Sequence, residues 1–514
     1  MPTASKQNQT ARFILMPVRG FTSEDMTRVN AVSPALVAAA NLRLSALSTG
    51  AGGPRKTVMK VLHSIEEDGP KLVEMGSSDI AALRVSDPGV RAMPLVTYEL
   101  MRMPVLTVES KVTVAAAGLA TGIQLTFVDA KTKKPVPGIS VVAFTDFVNR
   151  VGAGGTTTAK GTVSLALGAS SVKLEVLVAY GPVGYWGLGK KSFTLKSGTA
   201  FEIQPVDLSV PDYVATLYGA RSPDGGEGVK VGIIDSGVDA THPDLKVAGG
   251  AAFVIAESDV GGPGPAKVKG EHGTHVAGII ASNGSSPPTS PRTVPGKRGI
   301  APKTTLMSYR VFPNSGKGAD NYDIIRAIDR GVKDGCDLLN LSLGSDFADE
   351  AVHAAMKDAF DKGTLCIVAA GNDYRQPVSY PAAWDVAVAV SSLGKKGTYP
   401  KGSNEILDEM APYAKTDASV YVSAFSNVGP PIDIAGPGEG IVSTLPGGAY
   451  GVMSGTSMAC PAVTGVLASI LSATPSVRDM PRDRERSVAM MGLITAAAKP
   501  LGFIQPLEGV GLIV

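Results

Sequence analysis

Apolar and polar residues follow three different patterns along this chain of 514 residues. Residues 12–103 contain apolar runs of strand length at 12–18, 57–62, 71–75 and 90–100, and helical spacing at 29–47 and 78–83. The order is strand, helix, two strands, helix, strand. It predicts a small α+β domain with two helices on one face of a sheet.

A second pattern runs from about residue 110 to residue 205, where apolar and polar residues alternate between turns rich in Gly, Thr and Pro. Short alternating strands at this spacing predict a β-sandwich. The turns at residues 134–138 and at Gly161 resemble those of carboxypeptidase-regulatory and transthyretin-like modules, which implies a binding or spacing role. No cluster of catalytic residue types occurs in this part of the sequence.

From about residue 209, buried strands and apolar helical runs replace the alternation. Residues 229–234 form an apolar strand that ends at Asp235 and a turn. The predicted fold is α/β with a mostly parallel sheet, and sites in such sheets assemble at the carboxyl ends of the strands. Asp235 is therefore a candidate site residue, and an aspartate that only caps a turn is the alternative.

Composition supports a folded protein of two or three domains, since 44% of its residues are hydrophobic and 18% are charged. A formal net charge of +2 gives no reason to expect nucleic acid or an anionic membrane as a partner. The densest arginine run, residues 478–486, alternates with acidic residues and is typical of a solvated helix start.

Cysteine content and the first residues bear on the compartment. The three cysteines Cys336, Cys366 and Cys460 are too few for a disulfide framework and suit a reducing compartment. The apolar run at 13–18 is too short for a signal peptide or a membrane span. We expect a cytoplasmic location, with an extracellular one after signal-independent export as the alternative.

Two further segments contain candidate catalytic residues. Ser457, enclosed by small residues at the start of an apolar helical run, is a candidate nucleophile, because free N–H groups and the positive end of the helix dipole point outward there. A small-residue packing seam is the alternative. His272 and His275, three residues apart, could both bind zinc, but a partner set of ligands is missing from the sequence, so a base for the serine is favoured.

Taken together, these segments resemble the subtilisin-like serine proteases (subtilases), over about residues 210–514. The blocks that carry the resemblance, in chain order, are Asp235-Ser236-Gly237-Val238-Asp239 with His242-Pro243-Asp244-Leu245, His272-Gly273-Thr274-His275-Val276-Ala277-Gly278, Asn340-Leu341-Ser342-Leu343-Gly344, Ala369-Ala370-Gly371-Asn372 and Gly455-Thr456-Ser457-Met458-Ala459.

The resemblance implies a role for each matched residue. Ser457 would attack the scissile carbonyl, His272 would transfer its proton, and Asp235 would orient the imidazole. The Asn372 amide would join the Ser457 N–H in stabilising the oxyanion. Ser342, Leu343 and Gly344 would bind the substrate main chain. The chemistry requires no cofactor.

Several positions depart from the family pattern or need assignment. The pattern makes His272 the base and His275 a packed neighbour, and Cys460 is expected to be a small buried residue. The segment after Asn372 is short, so cleavage preference does not carry over. Asp244 matches a calcium ligand of many relatives, but residues 283–298 differ from the loop that often completes the site, which leaves a structural calcium open.

The segment Asp87-Pro88-Gly89-Val90 resembles the end of a subtilase inhibitory prodomain. The predicted domains are thus an α+β prodomain-like domain at 1–105, a β-sandwich at 106–208 and the protease at 209–514. We expect residues 97–102 to reach the cleft, so that the chain's own N-terminal domain inhibits it intramolecularly. An unrelated α+β accessory domain is the alternative.

Three functions follow from these features. The leading one is a serine endopeptidase made as a self-inhibited zymogen, acting on protein or peptide substrates. The second is a narrow-specificity processing protease that a partner activates. The third is a catalytically silent binding scaffold. A binding role does not explain why the chain contains Asp235, His272, Asn372 and Ser457 together.

Overall fold

The computed structural model describes residues 10–17, 59–66, 69–86, 89–111, 122–258, 262–288 and 294–514. Its first unit is an antiparallel sheet with the strand order β2-β3-β1-β4. The elements are β1 Thr10–Pro17, β2 Lys60–Ser64, β3 Lys71–Gly76, α1 Ser77–Ser86 and β4 Val90–Pro94. The helix predicted at 29–47 lies outside the described residues.

Both faces of this N-terminal sheet are covered, because successive residues of β1 point to opposite sides. Leu15 packs with Val73 and Leu83 in a small core that includes α1. Ile14 and Met16 instead belong to the core of the C-terminal domain. The N-terminal domain is thus docked through one face of its sheet.

The chain then crosses the C-terminal domain as a short strand, β5 Thr97–Leu100, before it enters a sandwich of two sheets. The sheets have the orders β10-β7-β13 and β12-β11-β8-β9-β6. The strands are β6 Ser110–Lys111, β7 Ile123–Asp129, β8 Ser140–Asp146, β9 Val151–Thr156, β10 Thr162–Leu165, β11 Ser171–Tyr180, β12 Leu188–Lys196 and β13 Thr199–Ile203.

Alternation along the strands builds the core of this sandwich domain. Leu125 and Phe127 of one sheet pack with Val141 and Leu177 of the other. The outer face of the larger sheet is also apolar, around Phe144. That second apolar face is covered by other parts of the chain.

A mostly parallel sheet forms the centre of the C-terminal domain, with the order β15-β16-β14-β18-β20-β21-β23-β27-β26 and β22 on β21. Its strands are β14 Lys230–Asp235, β15 Val247–Ala252, β16 Thr305–Arg310, β18 Leu338–Leu341, β20 Leu365–Ala369, β21 Ala387–Lys395, β22 Val420–Val422, β23 Ile434–Pro437, β26 Ala498–Lys499 and β27 Leu512–Ile513. Outside it lie β17 Ala319–Asp320, β19 Leu343–Gly344, β24 Ile441–Leu445 and β25 Ala449–Met453. The predicted α/β class is confirmed.

Helices pack against this sheet, and the long apolar helix that begins at Thr456 is its central one. They are α2 Tyr213–Tyr218, α3 Glu271–Ala281, α4 Asn321–Lys333, α5 Glu350–Asp361, α6 Thr456–Ser472, α7 Pro475–Arg478, α8 Arg484–Ala497 and α9 Gln505–Glu508, with 3₁₀ turns at Ile255–Glu257, Asn404–Leu407 and Pro446–Gly448. Within the described ranges, no helix is both long and apolar enough to cross a membrane.

Three neighbouring parallel strands end at one edge of the sheet with polar residues. Asp235 ends β14, Ser342 follows β18, and Asn372 lies three residues after β20. Because β14, β18 and β20 are adjacent and parallel, these side chains meet at the same carboxyl edge.

Candidate active site

Asp235 and His272 form a buried pair at this edge. His272 is the second residue of α3, and its Nδ1 lies 2.9 Å from Oδ1 and 3.0 Å from Oδ2 of Asp235. Since an ionised carboxylate only accepts hydrogen bonds, Nδ1 carries a proton and donates to Asp235. Nε2 is buried and has no hydrogen-bond partner among the described residues.

Glycine is required beside this pair. A Cβ added to Gly273 would lie 2.4 Å from the carbonyl oxygen of Gly237 and 3.1 Å from Oδ1 of Asp235. The start of α3 therefore approaches the end of β14 more closely than any side chain allows. The Gly273 N–H donates to Ser236 Oγ at 3.0 Å, which ties the helix to the strand.

Ser457 is the second residue of α6 and is fully buried. Its Oγ donates to the carbonyl oxygen of Ser342 at 3.0 Å, so the hydroxyl is turned to that carbonyl and not to Nε2 of His272. Its N–H donates to the carbonyl oxygen of Met101 at 2.9 Å. The main-chain N–H of Ser457 therefore holds the peptide carbonyl of Met101 next to the serine.

The side chain of Asn372 is held by its oxygen. Oδ1 accepts hydrogen bonds from the N–H of Thr456 at 2.9 Å and from its hydroxyl at 3.0 Å. This fixes the amide so that Nδ2 points the other way, and Nδ2 is buried with no hydrogen-bond partner in the described part of the chain. A buried donor without a partner is costly, which is typical of a group kept for a transient charge.

Strand β5 occupies the groove beside these residues. It is the middle strand of a three-stranded sheet, antiparallel to β17 on one side and to β19 on the other. Beyond the strand, the Met101 N–H donates to the carbonyl oxygen of Ser342 at 3.1 Å, and the Met103 N–H donates to that of Ser454 at 2.8 Å. Residues 97–103 therefore pass the serine as an extended peptide.

The side chain of Met101 enters a tight pocket. A Cβ added to Gly344 would lie 2.3 Å from Cε of Met101. Gly455, at φ +155, would place a Cβ 2.7 Å from the Met101 carbonyl oxygen. Glycine at both positions therefore leaves room for the residue presented to Ser457.

His275 and Cys460, which the sequence predicts to be packed beside the catalytic residues, form no side-chain hydrogen bond with Asp235, His272 or Ser457. His275 Nε2 lies 3.0 Å from the carbonyl oxygen of Ile441, and burial lowers the pKa of His275 to about 3, so the ring is neutral. The Cys460 Sγ donates to the carbonyl oxygen of Ile367 at 3.2 Å. Burial raises the pKa of that thiol, which keeps it protonated and unreactive.

The carboxylate of Asp244, the candidate calcium ligand, accepts hydrogen bonds from uncharged donors. Its Oδ1 accepts the N–H of Ser286 at 2.6 Å, and its Oδ2 accepts the hydroxyls of Ser286 and Tyr450. Within the described residues, no group of three or more His, Cys, Asp or Glu side chains could hold a metal ion. The Asp244 carboxylate thus has three of its acceptor positions taken by neutral donors, and the described residues add no pair of further carboxylates for calcium beside it.

Some residues of the site carry little signal in the sequence. Thr456 and Ser454 flank Gly455, and only the fold shows that one orients Asn372 and the other binds the Met103 N–H. In the sequence, Asp349 is typical of a helix N-cap. In the structure, its carboxylate accepts a hydrogen bond from the Ala351 N–H at 2.9 Å. Its second contact, with Tyr98, is not visible in the sequence.

Comparison with known proteins identifies relatives of this part of the chain. The model of the Subtilase family matches residues 226–511. Subtilisin NAT of Bacillus subtilis subsp. natto is 35% identical over 269 residues, which are 51% of this chain and 61% of that protein. Subtilisin of Bacillus pumilus is 36% identical over 269 residues, 51% of this chain and 84% of that protein. The Thermostable alkaline protease of Halalkalibacterium halodurans is 34% identical over 251 residues, 49% of this chain and 59% of that protein.

Proposed function

This chain belongs to the subtilase family of subtilisin-like serine proteases, and on that premise we propose that it is a serine endopeptidase. The observation that carries the proposal is the placement of Met101. Its N–H is bound by the Ser342 carbonyl and its carbonyl by the Ser457 N–H, which presents one peptide bond to one serine. That bond joins Met101 to Arg102.

The proposed reaction follows from the arrangement of donors and acceptors. Ser457 Oγ turns from the Ser342 carbonyl, gives its proton to Nε2 of His272 and attacks the carbonyl carbon. Asp235 holds the Nδ1–H tautomer and stabilises the imidazolium. The tetrahedral intermediate collapses to an acyl-enzyme as the imidazolium protonates the leaving amine. Water then gives a proton to Nε2 and attacks the acyl carbon, and the imidazolium returns a proton to Ser457 Oγ as the carboxylic acid leaves.

Negative charge develops on the carbonyl oxygen during attack. The Ser457 N–H already contacts that oxygen in the ground state, and Nδ2 of Asn372, which has no partner in the described ranges, would complete the pair. The N-terminus of α6 adds positive potential at the same point. The unpartnered amide therefore has a function in the transition state.

Self-inhibition is the second part of the proposal. Strand β5 fills the groove and pairs with a strand of the protease on each of its two sides. The sheet that precedes it packs against the core of the protease. Cleavage after Met101 would free residues 1–101 and leave the sandwich attached to the protease. The N-terminal domain would then act as an inhibitor until it dissociates or is degraded.

A narrow-specificity processing protease is favoured over a general one by Tyr98. This side chain of the bound strand is fully buried and its hydroxyl reaches Asp349 at 3.2 Å. A closed polar pocket three residues before Met101 would accept few side chains.

The proposal is tested with wild-type, Ser457→Ala and Ser469→Ala proteins. Ser469 lies in the same helix and serves as the control. Intact mass is followed over time, together with casein cleavage and labelling by a fluorophosphonate. We expect wild type and Ser469→Ala to release a fragment ending at Met101 and to react with the fluorophosphonate, and Ser457→Ala to stay whole and unlabelled. Casein cleavage by wild type would show a general protease instead.

Other outcomes separate the alternatives. Labelling with self-cleavage but no casein cleavage would favour the narrow processing protease. No self-cleavage, no casein cleavage and no labelling of wild type would refute the proposal and leave the binding scaffold.

A further inference from the structure

Beyond the cleaved bond, the chain passes between the protease and the sandwich domain. After the Met103 contact with Ser454, the Leu106 N–H donates to the hydroxyl of Tyr180 at 2.8 Å. Tyr180 is the last residue of β11 in the sandwich. Leu106 and Val108 then pack on the outer apolar face of the larger sheet. One wall of this path is therefore built by the protease and the other by the sandwich domain.

Two cavities open along the same path. One of 380 Å³ is bounded by Phe147, Val178 and Tyr180 of the sandwich and by Tyr374 and Leu407 of the protease. The other, of 230 Å³, lies between Tyr185 of the sandwich and Val452, Met453 and Ser454 of the protease. Met103 borders both cavities, and the larger has the volume of a small-molecule pocket.

Close backbone contact fixes the sandwich wall in place. A Cβ added to Gly187 would lie 2.1 Å from Oδ1 of Asn404, so a side chain at this position would collide with the protease. The Gly189 N–H donates to the carbonyl oxygen of Gly402 at 3.0 Å, and Nζ of Lys191 donates to that of Leu407 at 3.2 Å. The cleft between the two domains is thus preformed.

We propose that the sandwich and protease domains together bind the residues that follow the cleaved bond, and select an apolar side chain at the second of these positions. Met103 occupies that position in the uncut chain. The apolar lining of the larger cavity matches an aliphatic side chain, whereas an acidic side chain would lose its hydration against that lining. This proposal rests on the proposed endopeptidase activity and names its substrate class.

After self-cleavage a substrate competes for this cleft with residues 102–108, of which Leu106 and Val108 pack on the sandwich, while the segment as a whole belongs to no strand. Their contacts include the two main-chain hydrogen bonds of Met103 and Leu106 and an ion pair of 3.3 Å between Arg102 and Glu271. Both side chains of that pair are about one-third exposed, at 32% and 38%, so the pair is weak. The cut end can therefore give way to a substrate with the same apolar pattern.

The test uses self-cleaved enzyme and internally quenched peptides with the sequence Thr-Tyr-Glu-Leu-Met before the bond and Arg-X-Pro-Val-Leu after it, where X is Met, Ala or Asp. Wild type is compared with Tyr180→Ala, and with Val183→Ala as the control. Val183 is 65% exposed and borders neither cavity. A p-nitroanilide of Tyr-Glu-Leu-Met, which has no residue after the bond, reports whether the enzyme is active.

We expect wild type and Val183→Ala to prefer Met over Asp by about tenfold or more in kcat/KM, the usual range for one apolar pocket. Tyr180→Ala should reduce this preference to about threefold or less by loss of one wall. Equal rates for the three peptides in wild type, or an unchanged preference in Tyr180→Ala, would overturn the proposal while anilide hydrolysis persists. Wild type that leaves the anilide intact would instead overturn the endopeptidase function, and this proposal with it.

Discussion

The hydroxyl of Tyr98 donates to Oδ2 of Asp349 at 3.2 Å, across 251 residues of sequence, in a buried pocket beside the groove. Burial, and then the neighbouring Asp349 carboxylate, raise the pKa of Tyr98, so its hydroxyl stays protonated and remains a donor. Asn321 Nδ2 donates to the same oxygen at 2.8 Å and holds the carboxylate in place. The pocket therefore offers an acceptor that a tyrosine hydroxyl can use and a phenylalanine cannot.

We predict a preference for Tyr over Phe at the fourth residue before the cleaved bond, by about tenfold, since a hydrogen bond to a charged group contributes about 1.5 kcal/mol or more. Asp349→Ser should abolish the preference while keeping a helix N-cap at that position. The measurement is kcat/KM on anilides of Tyr-Glu-Leu-Met and Phe-Glu-Leu-Met. Equal rates in wild type would show that Asp349 only caps α5.

Gly344 lies against the side chain of Met101, the residue before the proposed cleavage site. Because the Cβ of an alanine there would lie 2.3 Å from Cε of Met101, the methionine side chain would have to shift, and Gly344→Ala should weaken a preference for Met over Ala. We expect the kcat/KM ratio of Met to Ala anilides to fall by about tenfold or more, the scale of one or two methylene groups in an apolar pocket.

The matched control for this change is Gly492→Ala. Gly492 lies in α8, and no atom of the described residues lies within 4 Å of an added Cβ, so the Met-to-Ala ratio of Gly492→Ala should equal that of wild type. A Gly344→Ala enzyme with unchanged preference would place the pocket elsewhere.

Asn372→Ala should lower kcat by about 100- to 1000-fold with a smaller change in KM, because Nδ2, which has no hydrogen-bond partner among the described residues, would contact the substrate oxygen only as charge develops. That magnitude is the loss measured on removing a side-chain oxyanion donor from a subtilisin. Thr456→Val is the graded control, since it removes one of the two donors to Oδ1 and keeps the main-chain one. A loss below about tenfold in Asn372→Ala would remove the amide from the oxyanion site.

Local patterns predicted much of the site. An apolar strand that ends at Asp235 and a small-residue helix start at Ser457 place both residues at a carboxyl edge or a helix N-terminus, whatever the rest of the chain does. Residues 97–102, expected in the cleft, do lie there as β5 and Met101. The proposed roles of these residues stay predictions until the variants are measured.

Contacts between distant segments could not be predicted. The second flanking strand β17, the carboxylate of Asp349 below Tyr98 and the sandwich wall at Tyr180 depend on how three domains dock. Docking surfaces are apolar like any core face, so their residues read as ordinary core in the sequence. Close approach at Gly187 gives no signal either, because glycine is common in turns.

A buried acidic cluster behind the sandwich wall should make stability depend on pH. Burial, then repulsion from Glu405, raise the pKa of Asp408 to about 7, and burial raises those of Glu405 and Glu439 as well. Lys191 and Arg375, which face Asp408, oppose the shift. The folded protein therefore binds more protons than the unfolded chain between pH 4 and pH 7.

Because the folded-state pKa of Asp408 is raised, its contribution to stability is fully present below pH 4 and is lost as the pH rises to about 7. The slope is at most about 1.4 kcal/mol per pH unit for one such group. In a Ser457→Ala background, which prevents self-digestion, Asp408→Asn should flatten the fall in thermal midpoint between pH 4 and pH 7. It should also raise the midpoint at pH 8 relative to the parent. Parallel curves for the two proteins across this range would show that Asp408 titrates normally.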